Sequence, residues 1–247
     1  MIRRLLFPAL CAFLFVPALS LSAEKIYTQP VIPPGGNPAT VPASRDDWRA
    51  RVQSNIDKVQ GKPVDLVFDG DSITDFWQTK GRTVWDARYG QLHPADFGIS
   101  ADKVENLLWR LRQGQIDGLD PKLVVLMIGT NNTARDTAEQ IAEGIKTVVA
   151  EYLQRAPHAR ILLLGVFPRS AKAEDPIRAK IAQINQLIST PSDPRVTYLD
   201  IGAKFLDAQG ALAPDIMPDM LHPSEKGYTI WADAIQAEID KTFPKTP

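Results

Sequence analysis

Short, nearly continuous apolar runs separated by amphipathic segments constrain the fold of this chain more than any other feature. The runs lie at residues 64–68, 123–128, 161–164 and 196–199, with a shorter one around Ala95-Asp96-Phe97. Strands buried on both faces lose the in–out alternation of a half-exposed strand and read as unbroken Val, Ile and Leu. Helical spacing fills the gaps. Val104, Leu107, Leu108 and Leu111 share one face of a helix over 102–112. Ile141, Ile145, Val148 and Tyr152 do so over 137–155, and Ile177, Ile181, Ile184 and Ile188 over 176–188. A further helix closes the chain over 229–239, and one opens it, with Trp48, Val52, Ile56 and Val59 on its buried side. Ser44 or Asp46 is its expected N-cap, and Gly61-Lys62-Pro63 its stop. Strand and helix alternating in this way predict right-handed crossovers, a parallel sheet and helices on both faces, an open α/β sandwich. Ligands in such sheets sit at the carboxyl ends of the strands.

Upstream of this pattern the chain changes character. Residues 1–23 carry Arg3 and Arg4, an apolar stretch broken by Pro8 and Pro17, and small residues at Ser20, Ser22 and Ala23, the pattern of a cleaved secretory leader. The apolar stretch is shorter than the roughly 20 residues of a membrane-spanning helix, so stable membrane insertion is not expected and export is. Residues 24–43 form a proline-rich arm, and 44–247 are expected to be one catalytic domain. The sole cysteine, Cys11, lies within the leader, so the remainder has no disulfide, no thiolate nucleophile and no cysteine-based metal site. Lys and Arg number 28 against 29 Asp and Glu, without a basic cluster, which argues against a nucleic-acid partner.

Chemistry concentrates where the runs end. After Phe68 comes Asp69-Gly70-Asp71-Ser72-Ile73-Thr74, after Phe97 comes Gly98-Ile99-Ser100, and after Ile128 comes Gly129-Thr130-Asn131-Asn132. Near the C-terminus stands Asp219-Met220-Leu221-His222-Pro223. Ester cleavage by a serine needs a base in reach of the hydroxyl, an acceptor that orients the base, and donors for the developing oxyanion. Ser72 can be the nucleophile, His222 the base and Asp219, three residues earlier, the orienting acid. The Ser72 N–H, the Gly98 N–H and the Asn131 amide can be the oxyanion donors. No metal and no cofactor is called for. Gly70 is read as allowing a tight turn and substrate approach.

These blocks, Gly70-Asp71-Ser72-Ile73, Gly98, Gly129-Thr130-Asn131 and Asp219-x-x-His222, resemble in order those of the SGNH (GDSL) hydrolase superfamily. Asp96-Phe97-Gly98-Ile99, Leu107-Leu108-Trp109-Arg110-Leu111 and Leu164-Gly165-Val166-Phe167-Pro168-Arg169 are similar to the subgroup that holds the platelet-activating-factor acetylhydrolase catalytic subunits and their bacterial relatives. The resemblance spans residues 44–240. It implies a flavodoxin-like, three-layer α/β/α sandwich on a five-stranded parallel sheet. It also implies a Ser-His-Asp triad, and an oxyanion hole at Ser72, Gly98 and Asn131. The sequence departs from its relatives where they carry further glycine: Ser100-Ala101 follows Ile99, ahead of Asp102.

The expected activity is hydrolysis of short acyl esters, acetyl above all, on a small molecule or glycan. Alternatives with the same triad are a lysophospholipase, a phospholipid acetylhydrolase or an arylesterase. A non-catalytic glycan-binding domain and a phosphoryl-transfer enzyme are the readings from other classes, and the chain lacks the glycine-rich phosphate loop of the latter. Bland roles compete at each residue. Ser72 could cap a helix, Asp215 could replace Asp219, and His93 and His158 are read as structural. Asp71 is read as anchoring the Ser72 turn through backbone N–H groups. Trp77 and Trp85 belong to the core or line the cleft, and Arg169 orients substrate or makes a surface ion pair.

Overall fold

The computed structural model describes residues 31–244; the expected leader over 1–23 and the first part of the arm lie outside the described residues. In chain order the main elements are α1 (Arg49–Val59), β1 (Leu66–Gly70), α2 (Ser72–Asp75), α3 (Arg82–Tyr89), β2 (Pro94–Asp96), α4 (Val104–Arg112) and β3 (Leu123–Met127). They continue with α5 (Ala138–Arg155), β4 (Arg160–Leu164), α6 (Pro176–Ile188), β5 (Val196–Leu199) and α7 (Glu225–Thr242). The five strands form one parallel sheet in the order β2-β1-β3-β4-β5. The chain runs outward from β1 to β2 and then crosses back to β3, so the topological switch point lies between β1 and β3, whose last residues Gly70 and Met127 are register partners.

Residues alternate faces along each strand, and each face meets its own helices. Val67, Val124, Leu126, Ile161 and Leu163 pack under α4, α5 and α6, whose expected apolar stripes all point inward. Leu66, Phe68, Val125, Met127 and Leu164 pack under α3 and α7. Trp77, Trp85, Tyr89, Tyr228 and Trp231 form an aromatic cluster around Phe68 on this second face, with ring centroids 4.4–6.2 Å apart. Trp77 is fully buried and Trp85 4% exposed, so both are core residues.

Several boundaries differ from the sequence pattern for identifiable reasons. Strand β1 begins two residues later than its apolar run and extends through Asp69 and Gly70, because buried partners satisfy Asp69. Neither Ser44 nor Asp46 caps α1; a 3-10 turn at Asp46–Trp48 comes first, and Trp48 holds the cap position. Helix α3 buries only Trp85 and Tyr89, too few to mark a period. Helix α7 starts at Glu225 because Ser224 caps it, its hydroxyl accepting the Gly227 N–H at 3.3 Å. The end of the arm is docked. Ala39 is fully buried, the Asn37 amide donates to the Gln140 carbonyl and to Glu143 at 2.9 Å, and the Ala43 N–H donates to the Glu105 carbonyl at 3.1 Å.

One buried polar network ties the sheet to the loops at the switch point. Arg110, 1% exposed, donates from Nε to Asp102 (2.8 Å), from Nη1 to the Phe97 carbonyl (3.1 Å) and Gln115, and from Nη2 to Asp69 (3.0 Å) and the Gly70 carbonyl (3.2 Å). Asp69 also accepts from Gln115 (2.8 Å), from the Tyr152 hydroxyl and from the Gly70 N–H (2.8 Å). Removing one partner from such a cluster leaves buried charge uncompensated. Replacing Arg110 with Met is therefore expected to lower stability by about 3–5 kcal/mol, read as the shift of the urea midpoint; an unchanged midpoint would refute the network's role.

Candidate active site

Strand β1 delivers Ser72 to the switch point through a tight strand-to-helix turn. Asp71, not Ser72, caps α2: its Oδ1 accepts the Ile73 N–H at 3.0 Å, which leaves the serine hydroxyl free of a capping role. Gly70 serves this turn by packing rather than by opening a path for substrate. A Cβ there would stand 2.2 Å from the Met127 carbonyl oxygen and 2.4 Å from Thr74 Oγ1. From the opposite layer, the Tyr228 hydroxyl of α7 donates to the Ile73 carbonyl at 2.7 Å and clamps the turn.

Ser72, His222 and Asp219 lie in one hydrogen-bonded line. Ser72 Oγ is 2.8 Å from His222 Nε2, and His222 Nδ1 is 2.7 Å from Asp219 Oδ2. The other carboxylate oxygen accepts the backbone N–H of His222 at 2.7 Å and of Leu221 at 3.2 Å. Partial burial pushes Asp219 up, but the backbone and ring N–H groups of His222 outweigh it and hold the carboxyl at about 2. The acid therefore stays ionised above about pH 3, and an ionised carboxylate on Nδ1 is able to fix one imidazole tautomer. Phe76 packs on the imidazole with ring centroids 4.9 Å apart. Asp215 pairs with Lys226 at 2.5 Å instead. His93 bonds Asp65 at 2.7 Å, and His158 bonds Asp120 at 3.0 Å.

The Asn131 amide lies in the loop after β3 and donates one N–H to the Asp102 carbonyl at 2.9 Å, which leaves its second hydrogen. Its neighbour Asn132 is buried and structural: it accepts the Val104 N–H at 2.9 Å and donates to Glu105 and Asp136. Gly98 departs from expectation. Its N–H is donated to Asp96 Oδ1 at 2.8 Å, so it is not a free oxyanion donor, and a Cβ there would lie 2.3 Å from the Asp75 nitrogen. Gly98 is the glycine it must be in order to let this loop touch α2. Three residues on, Ala101 is exposed, has φ of +64°, and its N–H has no hydrogen-bond partner among the described residues. Ser100 beside it donates its N–H (3.2 Å) and hydroxyl (2.6 Å) to Asp75 of α2.

Ser170 and Met220 also take left-handed φ, +73° and +57°. Met220 provides the turn between Asp219 and His222, and its carbonyl accepts the Ser170 N–H at 2.9 Å. Three of the four non-glycine residues with positive φ among the described residues thus border the site, the usual place for backbone strain. Nothing in the side chains Ala101, Ser170 and Met220 announces that conformation. Among the described residues no group of three His, Asp or Glu side chains could hold a metal ion, and no helix is long and apolar enough to cross a membrane.

Asp71 is itself perturbed. Burial pushes its carboxyl up to about 7, against the Ile73 N–H and the more distant Arg169, and its Oδ2 has no partner among the described residues. A carboxyl raised in the folded state favours folding below its ordinary value near 4 and costs stability as pH climbs toward 7. Asp71→Asn keeps an oxygen for the Ile73 N–H but cannot ionise. Wild type is therefore expected to lose Tm relative to this variant between pH 5 and pH 8; parallel profiles would refute the shift.

Comparison with known proteins gives concordant results. Residues 68–230 match the GDSL-like lipase/acylhydrolase family. Platelet-activating factor acetylhydrolase IB subunit alpha2 of Rattus norvegicus is 33% identical over 219 residues, covering 85% of this chain and 94% of that protein. A GDSL-like lipase from Bacteroides thetaiotaomicron superposes with a TM-score of 0.63 at 21% identity, over 79% of this chain and 98% of its own. An acetylxylan esterase from Geobacillus stearothermophilus superposes with a TM-score of 0.56 at 23% identity, over 71% of this chain and 94% of its own. These two structures share the fold.

Proposed function

Because the chain belongs to the GDSL-like lipase/acylhydrolase family and is an ester hydrolase, we propose that Ser72, His222 and Asp219 carry its reaction and that its substrates are short acyl esters, acetyl first. The observation that carries the reading is the unbroken line from Ser72 Oγ through His222 to Asp219, with links of 2.8 and 2.7 Å.

His222 Nε2 takes the hydroxyl proton as Ser72 Oγ attacks the ester carbonyl. The negative charge that grows on the carbonyl oxygen is met by the Ser72 N–H, the second Asn131 amide hydrogen and the Ala101 N–H, which takes the place expected for Gly98. His222 then protonates the leaving alcohol, and an acyl group remains on Ser72. Water attacks that acyl-enzyme by the same route and releases the acid. Asp219 holds the imidazole in register and stabilises its cationic form.

The acetyl preference draws on the 33%-identical relative, which is named an acetylhydrolase. It also draws on the open cleft beside the triad, where polar Thr133, Arg169, Ser170 and Asp219 stand among Ile177, Met220 and Leu221, a mixed wall rather than the continuous apolar channel a long acyl chain would fill. The leader pattern over 1–23 supports export, and a glycan ester suits an exported enzyme.

Ser72→Ala is expected to lower kcat about 10⁶-fold and to abolish labelling by an active-serine phosphonate, with the fold retained by circular dichroism; normal turnover in that variant would sink the mechanism. Asn131→Ala is expected to lower kcat by about 10²–10³, and unchanged turnover would remove Asn131 from the oxyanion site. Across a series from acetyl to long-chain esters of one alcohol, kcat/KM is expected to peak at acetyl or propionyl. A peak at long chains overturns the acetyl assignment and leaves the triad standing.

A further inference from the structure

The cleft beside the triad, about 630 Å³, is framed by Thr133 and Ala134 after Asn131, by Arg169 and Ser170 after β4, and by the Asp219–Leu221 turn. Arg169, which lines it, and Arg178 and Lys180 of the adjoining helix α6 are matched with neutral acceptors. Lys180 donates to the Thr133 carbonyl at 2.7 Å, and Arg178 to the Ser170 and Gly210 carbonyls at 3.2 and 2.8 Å. Arg169 donates only from Nη1, to the carbonyl and hydroxyl of Thr130, both at 3.3 Å. None of the three forms an ion pair within 4 Å among the described residues. Asp219 is engaged by His222, and Asp175 by the Ser170 hydroxyl at 2.5 Å and the Lys172 N–H at 3.2 Å; Asp71, the carboxyl that feels the Arg169 charge, is fully buried under the Ser72 turn and is not within ion-pair distance of it.

The edge of the Arg169 guanidinium formed by Nε and Nη2 is thus unused, while the group is half-buried in the cleft wall. That edge offers two parallel N–H donors, the geometry that grips a carboxylate or phosphate with two bonds. Its position is fixed from both sides of the reaction centre. Thr130 immediately precedes Asn131, and Ser170 is bonded to Met220 in the Asp219–His222 turn. If His222 hands its proton to the leaving alcohol, as the proposed mechanism has it, the cleft on the Asp219–His222 side receives the alcohol portion rather than the acyl group.

On that reading of the triad, we infer that Arg169 binds an oxyanion, carboxylate or phosphate, borne by the alcohol portion of the ester, and so sets which esters the enzyme selects.

The test uses the full-length enzyme and two matched pairs of acetyl esters. Acetoxyacetate is paired with neutral acetoxyacetamide, and 2-acetoxyethyl phosphate with neutral 2-acetoxyethanol. In at least one pair the anionic member is expected to have a kcat/KM about 10- to 100-fold above its partner, and the pair with the larger ratio identifies the anion. In Arg169→Gln that ratio falls toward one, mainly through KM, and Arg169→Lys restores part of it. A wild-type ratio at or below one in both pairs overturns the inference, as does a ratio that survives Arg169→Gln. Calorimetric binding of the two anionic esters to Ser72→Ala protein, with and without Arg169→Gln, separates this inference from the esterase reading. Binding that depends on Arg169 in an enzyme that hydrolyses none of the four esters supports the anion site and defeats the esterase reading. Hydrolysis of the neutral esters with no anion preference does the reverse.

Discussion

The five hydrogen bonds of the Arg110 guanidinium are the constraint on which the rest of the site depends. A buried cation is tolerable only if its donors are met and its charge is balanced. Here each of the five N–H groups has an acceptor, and the acceptors come from the end of β1, the residue after β2, the Asp102 loop and the segment beyond α4. Burial still pushes Asp102 up, to about 6, with Arg110 and the partly exposed Arg45 pulling the other way. Two arginines thus serve two buried carboxylates. Ser72 lies two residues beyond Gly70, and Ala101 one residue before Asp102. Locking Gly70 and Asp102 to one side chain therefore sets the distance between Ser72, the proposed nucleophile, and the loop opposite it.

This arrangement explains what could be read from the sequence and what could not. The four apolar runs and the stripes on α4, α5 and α6 report burial, and burial on both faces of a parallel sheet leaves a local pattern. The fold was legible for that reason. The placement of Ser72, Asn131, Asp219 and His222 as candidates was legible too, because they stand where strands end or next to a helix start. Asp69 as strand, and Arg110 as its partner, depend on a contact between residues 41 apart, which no local period encodes. That the Gly98 amide is bonded while the Ala101 amide has no partner among the described residues was illegible for a different reason. Glycine after a strand suggests a free amide, whereas this glycine is required by its close approach to Asp75, and the unpaired amide belongs to an alanine in a conformation its side chain does not signal.

The turn that presents Ser72 is held from both layers of the sandwich. Tyr228 of α7 bonds the Ile73 carbonyl from one face, while Arg110 of α4 bonds the Gly70 carbonyl from the other. The aromatic cluster around Phe68 then resists movement of β1 itself, since rings packed at core density leave no room for a shift. Rigid support of this kind is what electrostatic stabilisation of an oxyanion requires: donors must already point at the charge before it forms.

The departure at Ser100-Ala101 fits that requirement. A left-handed alanine costs about 1 kcal/mol or more relative to glycine, and a glycine there would relieve it. Yet Ser100 places both its N–H and its hydroxyl on Asp75, and Asp75 is fixed in turn by Arg51 at 2.6 Å. These bonds join the loop directly to α2, the helix that begins with Ser72. A flexible glycine pair would have to be ordered when the oxyanion forms, whereas this loop is ordered beforehand by a carboxylate on the nucleophile's own helix. On the proposed mechanism the strain at Ala101 is the counterpart of a donor held in place by a loop bonded to the helix that begins with Ser72.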